Sequence, residues 1–158
     1  MTPDDLLRNA IGPALRLLPQ SMDSPAARAM CVAIALQESR IKHRTQLGGP
    51  ARGFWQFEQG GGVRGVLTHS VTKMYIQHVL VALDYPLTYD AGECYLAIEH
   101  NDILAAAFAR LLLWTLVDKL PGRNDPGTGW TQYQRTWRPG KPRRDTWDDF
   151  YQQAWETQ

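Results

Sequence analysis

Cysteine is nearly absent from this chain. Cys31 and Cys94 are the only two in 158 residues, far apart and outside any Cys-x-x-Cys spacing. Neither a disulfide scaffold nor a zinc site is expected, and both residues read as buried free thiols. Net charge is also small. Seventeen Lys and Arg against 16 Asp and Glu leave a formal charge of +1, too weak a field to steer the molecule onto nucleic acid. No apolar run approaches the ~18 residues needed to span a bilayer, so no membrane insertion is expected. The opening MTPDDLLRNA is acidic where a secretory signal is basic, which reads as a product without a signal peptide, made in the cytoplasm. His43, His69, His78 and His100 form no His-x-x-x-His or His-x-x-Glu pair, so no metal is implied. No serine sits in a Gly-x-Ser-x-Gly elbow, and Gly60-Gly61-Gly62 lacks the Gly-Lys-Ser/Thr of a phosphate loop. No cofactor is implied either.

Helix signals dominate what remains. Thr2 reads as an N-cap, with Pro3 at the first helical position and Asp4 and Asp5 in the first turn; Gly12-Pro13 should break or kink that helix. A second start, Asp23-Ser24-Pro25, leads into Ala27, Met30, Cys31, Ile34 and Ala35 at steps of three and four, an amphipathic helix ending near Arg40. Residues 41–65 interrupt the pattern with Gly48, Gly49, Gly53, Gly60, Gly61 and Gly62 around the apolar cluster Phe54, Trp55 and Phe57. Further helices are expected over 70–83, over 90–98 with Asp90 and Glu93 as a capping box, over 101–119 and over 129–138, with a last one beginning at Asp145. This length suits one domain, 1–158, with one core. The expected class is all-α, with room for one minor β-hairpin around 47–58.

One carboxylate sits where a carboxylate is costly. At about 3.6 residues per turn, Glu38 falls on the side of the helix that carries Ala27, Cys31 and Ile34. Partial burial disfavours its ionised form, and so does the negative end of the helix dipole. A carboxylic acid that keeps its proton near neutral pH is what protonation of a leaving sugar oxygen requires. The plain alternative is a glutamate that swings into solvent or pairs with Arg40 or Lys42.

Around Glu38 the residues resemble a family. Gln37-Glu38-Ser39 followed by Gly53-Phe54-Trp55-Gln56-Phe57 resembles the Glu-Ser … Gly-Leu-Met-Gln-Ile signature of soluble lytic transglycosylases and goose-type lysozymes, with Gln56 eighteen residues after Glu38 as in that family. Asn101-Asp102-Ile103 and the following alanines resemble the family's Asn-Ile-x-x-Gly/Ala-x-x-Tyr-Leu helix. Thr136-Trp137-Arg138-Pro139-Gly140 stands for its Ala-Tyr-Asn-Ala-Gly segment, with Trp137 in place of the tyrosine and Arg138 in place of the asparagine. The Trp-Arg-Pro-Gly-Lys-Pro stretch is similar to small lysozyme-like proteins of tailed bacteriophages.

The resemblance implies a lysozyme-like fold that cleaves the β-1,4 bond between N-acetylmuramic acid and N-acetylglucosamine in peptidoglycan glycan strands. Glu38 would be acid and base, and Ser39, Trp55, Gln56, Glu58, Tyr133 and Trp137 would shape the site and hold sugar. It further implies a protein carried with other proteins of a phage virion and acting in the periplasm. Glu58 is the one nearby candidate for a second carboxylate, its alternative being a solvated loop residue. Trp130, Tyr133 and Trp137 line one helix face as either core or sugar platform; Trp147, Phe150, Tyr151 and Trp155 read as core. The basic stretch Arg135, Arg138, Lys141, Arg143 and Arg144 reads as a solvated face able to touch a charged polymer. Two rival functions stand beside cleavage: a non-catalytic virion or assembly component that keeps the fold, and a glycan-binding module using the same groove.

Overall fold

Residues 1–157 are described by a computed structural model. The protein is all-α: 64% of it is helical and about 2% is strand, with no sheet. Among the described residues, no helix is long and apolar enough to cross a membrane.

Two helices form the centre. α3 (Pro25–Ser39) starts where Ser24 accepts from the Ala27 amide and Pro25 occupies the first turn. It is buried on nearly every side, from Ala27 to Leu36, where an amphipathic helix with one solvent face was expected; a run apolar all round sits inside the core. α7 (Asp102–Trp114) is buried from Leu104 through Leu113, and its N-cap is Asn101, which accepts from the Leu104 amide. Around this pair lie α1 (Pro3–Leu6), α2 (Gly12–Arg16), α4 (Arg64–Thr68), α5 (Lys73–Ala82), α6 (Ala91–His100), α8 (Pro126–Trp137) and α9 (Trp147–Glu156). α9 packs along α3 more extensively than any other pair of elements. Its Trp147 and Tyr151 are both buried, so that this part of the closing aromatic helix is core as expected.

Gly12-Pro13 does not break the first helix. Residues Leu7–Ile11 widen into a π turn, and the Gly12 amide bonds to the carbonyl of Leu7. Pro13 brings no N–H and its ring crowds the carbonyl four residues back; the extra residue in the turn absorbs both defects. The expected hairpin around 47–58 reduces to two isolated antiparallel bridges, Thr45 with Arg52 and Arg52 with Phe57. Gly53 (φ 71°) and Gln56 (φ 49°) turn the chain back on itself before a ladder can extend.

Two helix limits also differ from expectation. α7 stops at Trp114 rather than near 119, because the Thr115 amide and hydroxyl both bond to the Leu112 carbonyl. α8 starts earlier than 129: Asp125 accepts from the Thr128 amide and Pro126 takes the first helical position. Gly129 then lets α9 approach, since a Cβ there would lie 2.9 Å from the Tyr151 ring.

Candidate active site

Glu38 lies in the last turn of α3, and the chain leaves that helix abruptly. Arg40 and Ile41 both take the left-handed conformation, at φ 56° each. For buried, β-branched Ile41 this is a strained backbone, costing on the order of 1–3 kcal/mol. The turn is held by Ser39, whose hydroxyl donates to the Phe54 carbonyl (2.7 Å) and accepts from the Ile41 amide (3.1 Å). Ser39 is buried. It fastens the 53–57 loop to the end of α3 with its hydroxyl engaged by backbone groups, which corrects its expected contact with substrate to one of shaping the site.

That loop reaches the acid through several anchors. Gly53 is required twice over, by its positive φ and because a Cβ would meet Ile98 Cγ2 at 2.8 Å. Arg44 grips Asp102 with two bonds of 3.0 and 2.6 Å, and Arg52 donates to Glu99 at 2.7 Å and to the Tyr95 hydroxyl at 3.1 Å. Trp55 points inward. It is 0% exposed, and its indole N–H donates to the Cys31 carbonyl at 2.8 Å. The expectation that Trp55 holds sugar is therefore corrected: the bulky indole fills the space beneath the loop and no face of it reaches solvent. Cys31 below it is a free thiol pushed up to about 12 by burial, and Cys94 is likewise free and buried.

Gln56 and Glu38 do share one concave surface, a groove of about 1370 Å³ that Glu58, Tyr133 and Trp137 also line. The Gln56 amide is turned partly back on its own loop, donating to the Gly53 carbonyl at 2.8 Å and the His43 carbonyl at 3.4 Å. The hydroxyl of Tyr133 donates to Glu38 Oε1 at 2.5 Å. The family resemblance puts Trp137 at the position of the tyrosine, but the phenol beside the acid belongs to Tyr133, one turn earlier on the same face of α8. Trp137 instead donates its indole N–H to the Trp55 carbonyl (2.8 Å) and packs on Phe57, with ring centroids 5.7 Å apart. Tyr133 is itself buried, stacked on Trp147 at 5.2 Å and 14°.

These surroundings set the protonation of Glu38. Burial against the aromatic face of α8 pushes its carboxyl up to about 7. The hydrogen bond from Tyr133 opposes that rise by favouring the carboxylate, and the charge of Glu58 adds to it. In turn, burial and the adjacent Glu38 raise the Tyr133 phenol, so this hydroxyl stays a donor. The result is a carboxyl group that carries a proton over part of the neutral range, opens onto a groove, and has a fixed neutral donor to receive its charge once the proton leaves.

Comparison with protein-family models, with curated proteins and with solved structures found no match for this chain.

Proposed function

We propose that the protein is a peptidoglycan-cleaving glycosidase of the lytic transglycosylase or muramidase type, with Glu38 as its acid and base. The observation that carries this reading is the Glu38 carboxyl itself, hydrogen-bonded by Tyr133 at 2.5 Å and raised to about 7, on the surface of a groove of about 1370 Å³. Protonated Glu38 gives its proton to the glycosidic oxygen as the bond to the sugar carbon breaks, and the substrate's own N-acetyl group stabilises the cationic carbon. The Tyr133 hydroxyl then bonds to the carboxylate left behind. Glu38 takes a proton back from the attacking oxygen. If that oxygen is the sugar's 6-hydroxyl, an anhydro ring closes; if it is water, the product is a reducing sugar.

Gln56 and the exposed edge of Trp137 bear on the same groove and are assigned to substrate contact. Glu58 shares the groove and is the carboxylate available to orient a water. In the same reading the protein is a lysozyme-like component of a tailed-phage virion that meets peptidoglycan in the periplasm. Incubation with purified sacculi, followed by mass analysis of the released muropeptides, tests the proposal. Anhydro or reducing ends support it and identify the attacking oxygen. Intact sacculi at every pH from about 5 to about 8 would overturn it in favour of a non-catalytic, glycan-binding protein.

A further inference from the structure

Of the five basic residues between 135 and 144, three are paired with acids: Arg135 with Asp118 at 2.7 Å, Arg143 with Asp145 at 3.0 Å and Arg144 with Asp148 at 2.6 Å. Arg138 and Lys141 have no ion-pair partner among the described residues, and both line the groove that holds Glu38. Their segment is tied to the acid's own helix. Gln37, the neighbour of Glu38, donates to the Arg143 carbonyl at 2.9 Å and accepts from the Thr146 hydroxyl at 3.1 Å. This one side chain keeps the basic segment in register with the end of α3.

Two other positions in the groove lining are bare. They are Gly60 and Gly65; a Cβ at either would meet no atom within 4 Å, and neither has a left-handed φ. Nothing in the backbone or the packing requires glycine at these two places, and their effect is to leave room. The groove lining thus combines two cations without ion-pair partners and two glycines with open space beside them. Glu38 and Glu58 are the carboxylates lining the same groove, and Glu38, held at about 7, is neutral for part of the time.

We propose that residues 138–143 form a cationic lip that selects glycan strands bearing acidic side groups over bare, neutral strands; the inference rests on the glycan-cleaving reading of the groove. The strand lies along the groove at Glu38, and the anionic group of a substituent meets Arg138 and Lys141. Carboxylates of peptide stems and phosphates of wall polymers share the required chemistry.

The test uses the full chain with Glu38→Gln, so that binding is measured without turnover. Three ligands are compared: soluble glycan strands with peptide stems, strands carrying phosphodiester polymer in place of stems, and the neutral N-acetylglucosamine hexamer. Arg138→Asn with Lys141→Gln removes both charges, and asparagine tolerates the left-handed backbone at 138 (φ 49°). The double variant is expected to weaken binding of at least one acidic ligand by about five- to tenfold. Its Kd for the hexamer should move by less than about twofold, and the salt dependence of acidic-ligand binding should flatten. Which acidic ligand suffers the loss identifies the group recognised. Equal losses on acidic and neutral ligands, or no loss on either acidic one, overturn the lip. Cleavage by the unsubstituted chain is scored separately. Charge-dependent binding without cleavage sinks the enzymatic reading and leaves the lip standing, whereas cleavage with charge-independent binding does the reverse.

Discussion

On the α8 side of the groove, Trp130, Tyr133 and Trp137 run into Trp147 and Phe57 with ring centroids 5.2 to 6.3 Å apart. Gly60, Gly61, Gly62 and Gly65 line the same groove without side chains; Gly60 and Gly65 have open space where a Cβ would stand, whereas Gly62 packs against Phe57 and Leu112. The aromatic wall is dry and fixed by hydrogen bonds from Tyr133 to Glu38 and from Trp137 to the Trp55 carbonyl. The glycine stretch is open at Gly60 and Gly65. Glu38 draws on both: burial raises its carboxyl, and the groove gives it an opening. An acid enclosed by aromatics all round would hold its proton with nothing to give it to. One surrounded by water would have lost it before the substrate arrived.

The largest effect should come from removing the group that draws on both regions. Glu38→Gln is expected to lower cleavage of sacculi by at least ~10² to 10⁴-fold, the range of general acid catalysis, with helicity by circular dichroism unchanged. Comparable turnover by the variant would show that the two regions do not serve a catalytic group.

Next in size is the support beneath the dry wall. Trp55→Ala removes a side chain that is 0% exposed together with its bond to the Cys31 carbonyl, and should cost about 3–5 kcal/mol in urea unfolding. A loss below about 1 kcal/mol would mean that the indole is not packed as described.

Proton linkage sharpens the comparison further. The folded-state value of Glu38, about 7, lies above the ordinary 4.5, so the folded protein holds this proton more tightly than the unfolded chain. Its contribution is full below about 4.5, declines as pH rises to about 7, and is then flat; the total loss is about 3 kcal/mol. Unfolding free energies of the parent and of Glu38→Gln should therefore diverge between about pH 4.5 and 7, with the variant relatively more stable at the alkaline end. Parallel curves would contradict a dry environment for Glu38.

A smaller change is expected from Tyr133→Phe, which keeps the aromatic wall and deletes its single donor to the acid. Because that bond lowers the Glu38 value, the alkaline limb of the kcat/KM profile should move to higher pH. The maximum should fall by about tenfold as the carboxylate loses its hydrogen bond. An unmoved limb would detach the phenol from the acid's titration.

Smallest of all, Gly65→Ala in the glycine stretch places a Cβ where nothing lies within 4 Å, inside α4. It should stabilise the fold by about 0.5–1 kcal/mol, since alanine loses less entropy in a helix. A lowered Tm would show that this position is packed after all.

Much of the architecture was local enough to be legible in the sequence. Thr2-Pro3, Ser24-Pro25 and the Asp90–Glu93 box all start helices as read, because a cap needs only residues three apart. Asp125-Pro126 follows the same grammar, and α8 begins there rather than at 129. The inward lean of Glu38 followed from the period of α3. The period could not say what stands opposite it, because Tyr133 is 95 residues away and Trp137, on the same face one turn later, was equally eligible.

The sequence by itself determined an all-α chain, the apolar stripe of α3, and a glutamate at the end of that stripe. These depend on capping, periodicity and composition, which act over one or two turns. Tertiary structure decided that Trp55 and Ser39 serve the loop rather than a ligand, that Tyr133 holds the acid, and that Arg138 and Lys141 reach the groove unpaired. Each of those outcomes depends on which face of one element meets another across the core. That choice is made by the packing of α3, α8, α9 and the 41–57 loop together, and no local window of sequence contains it.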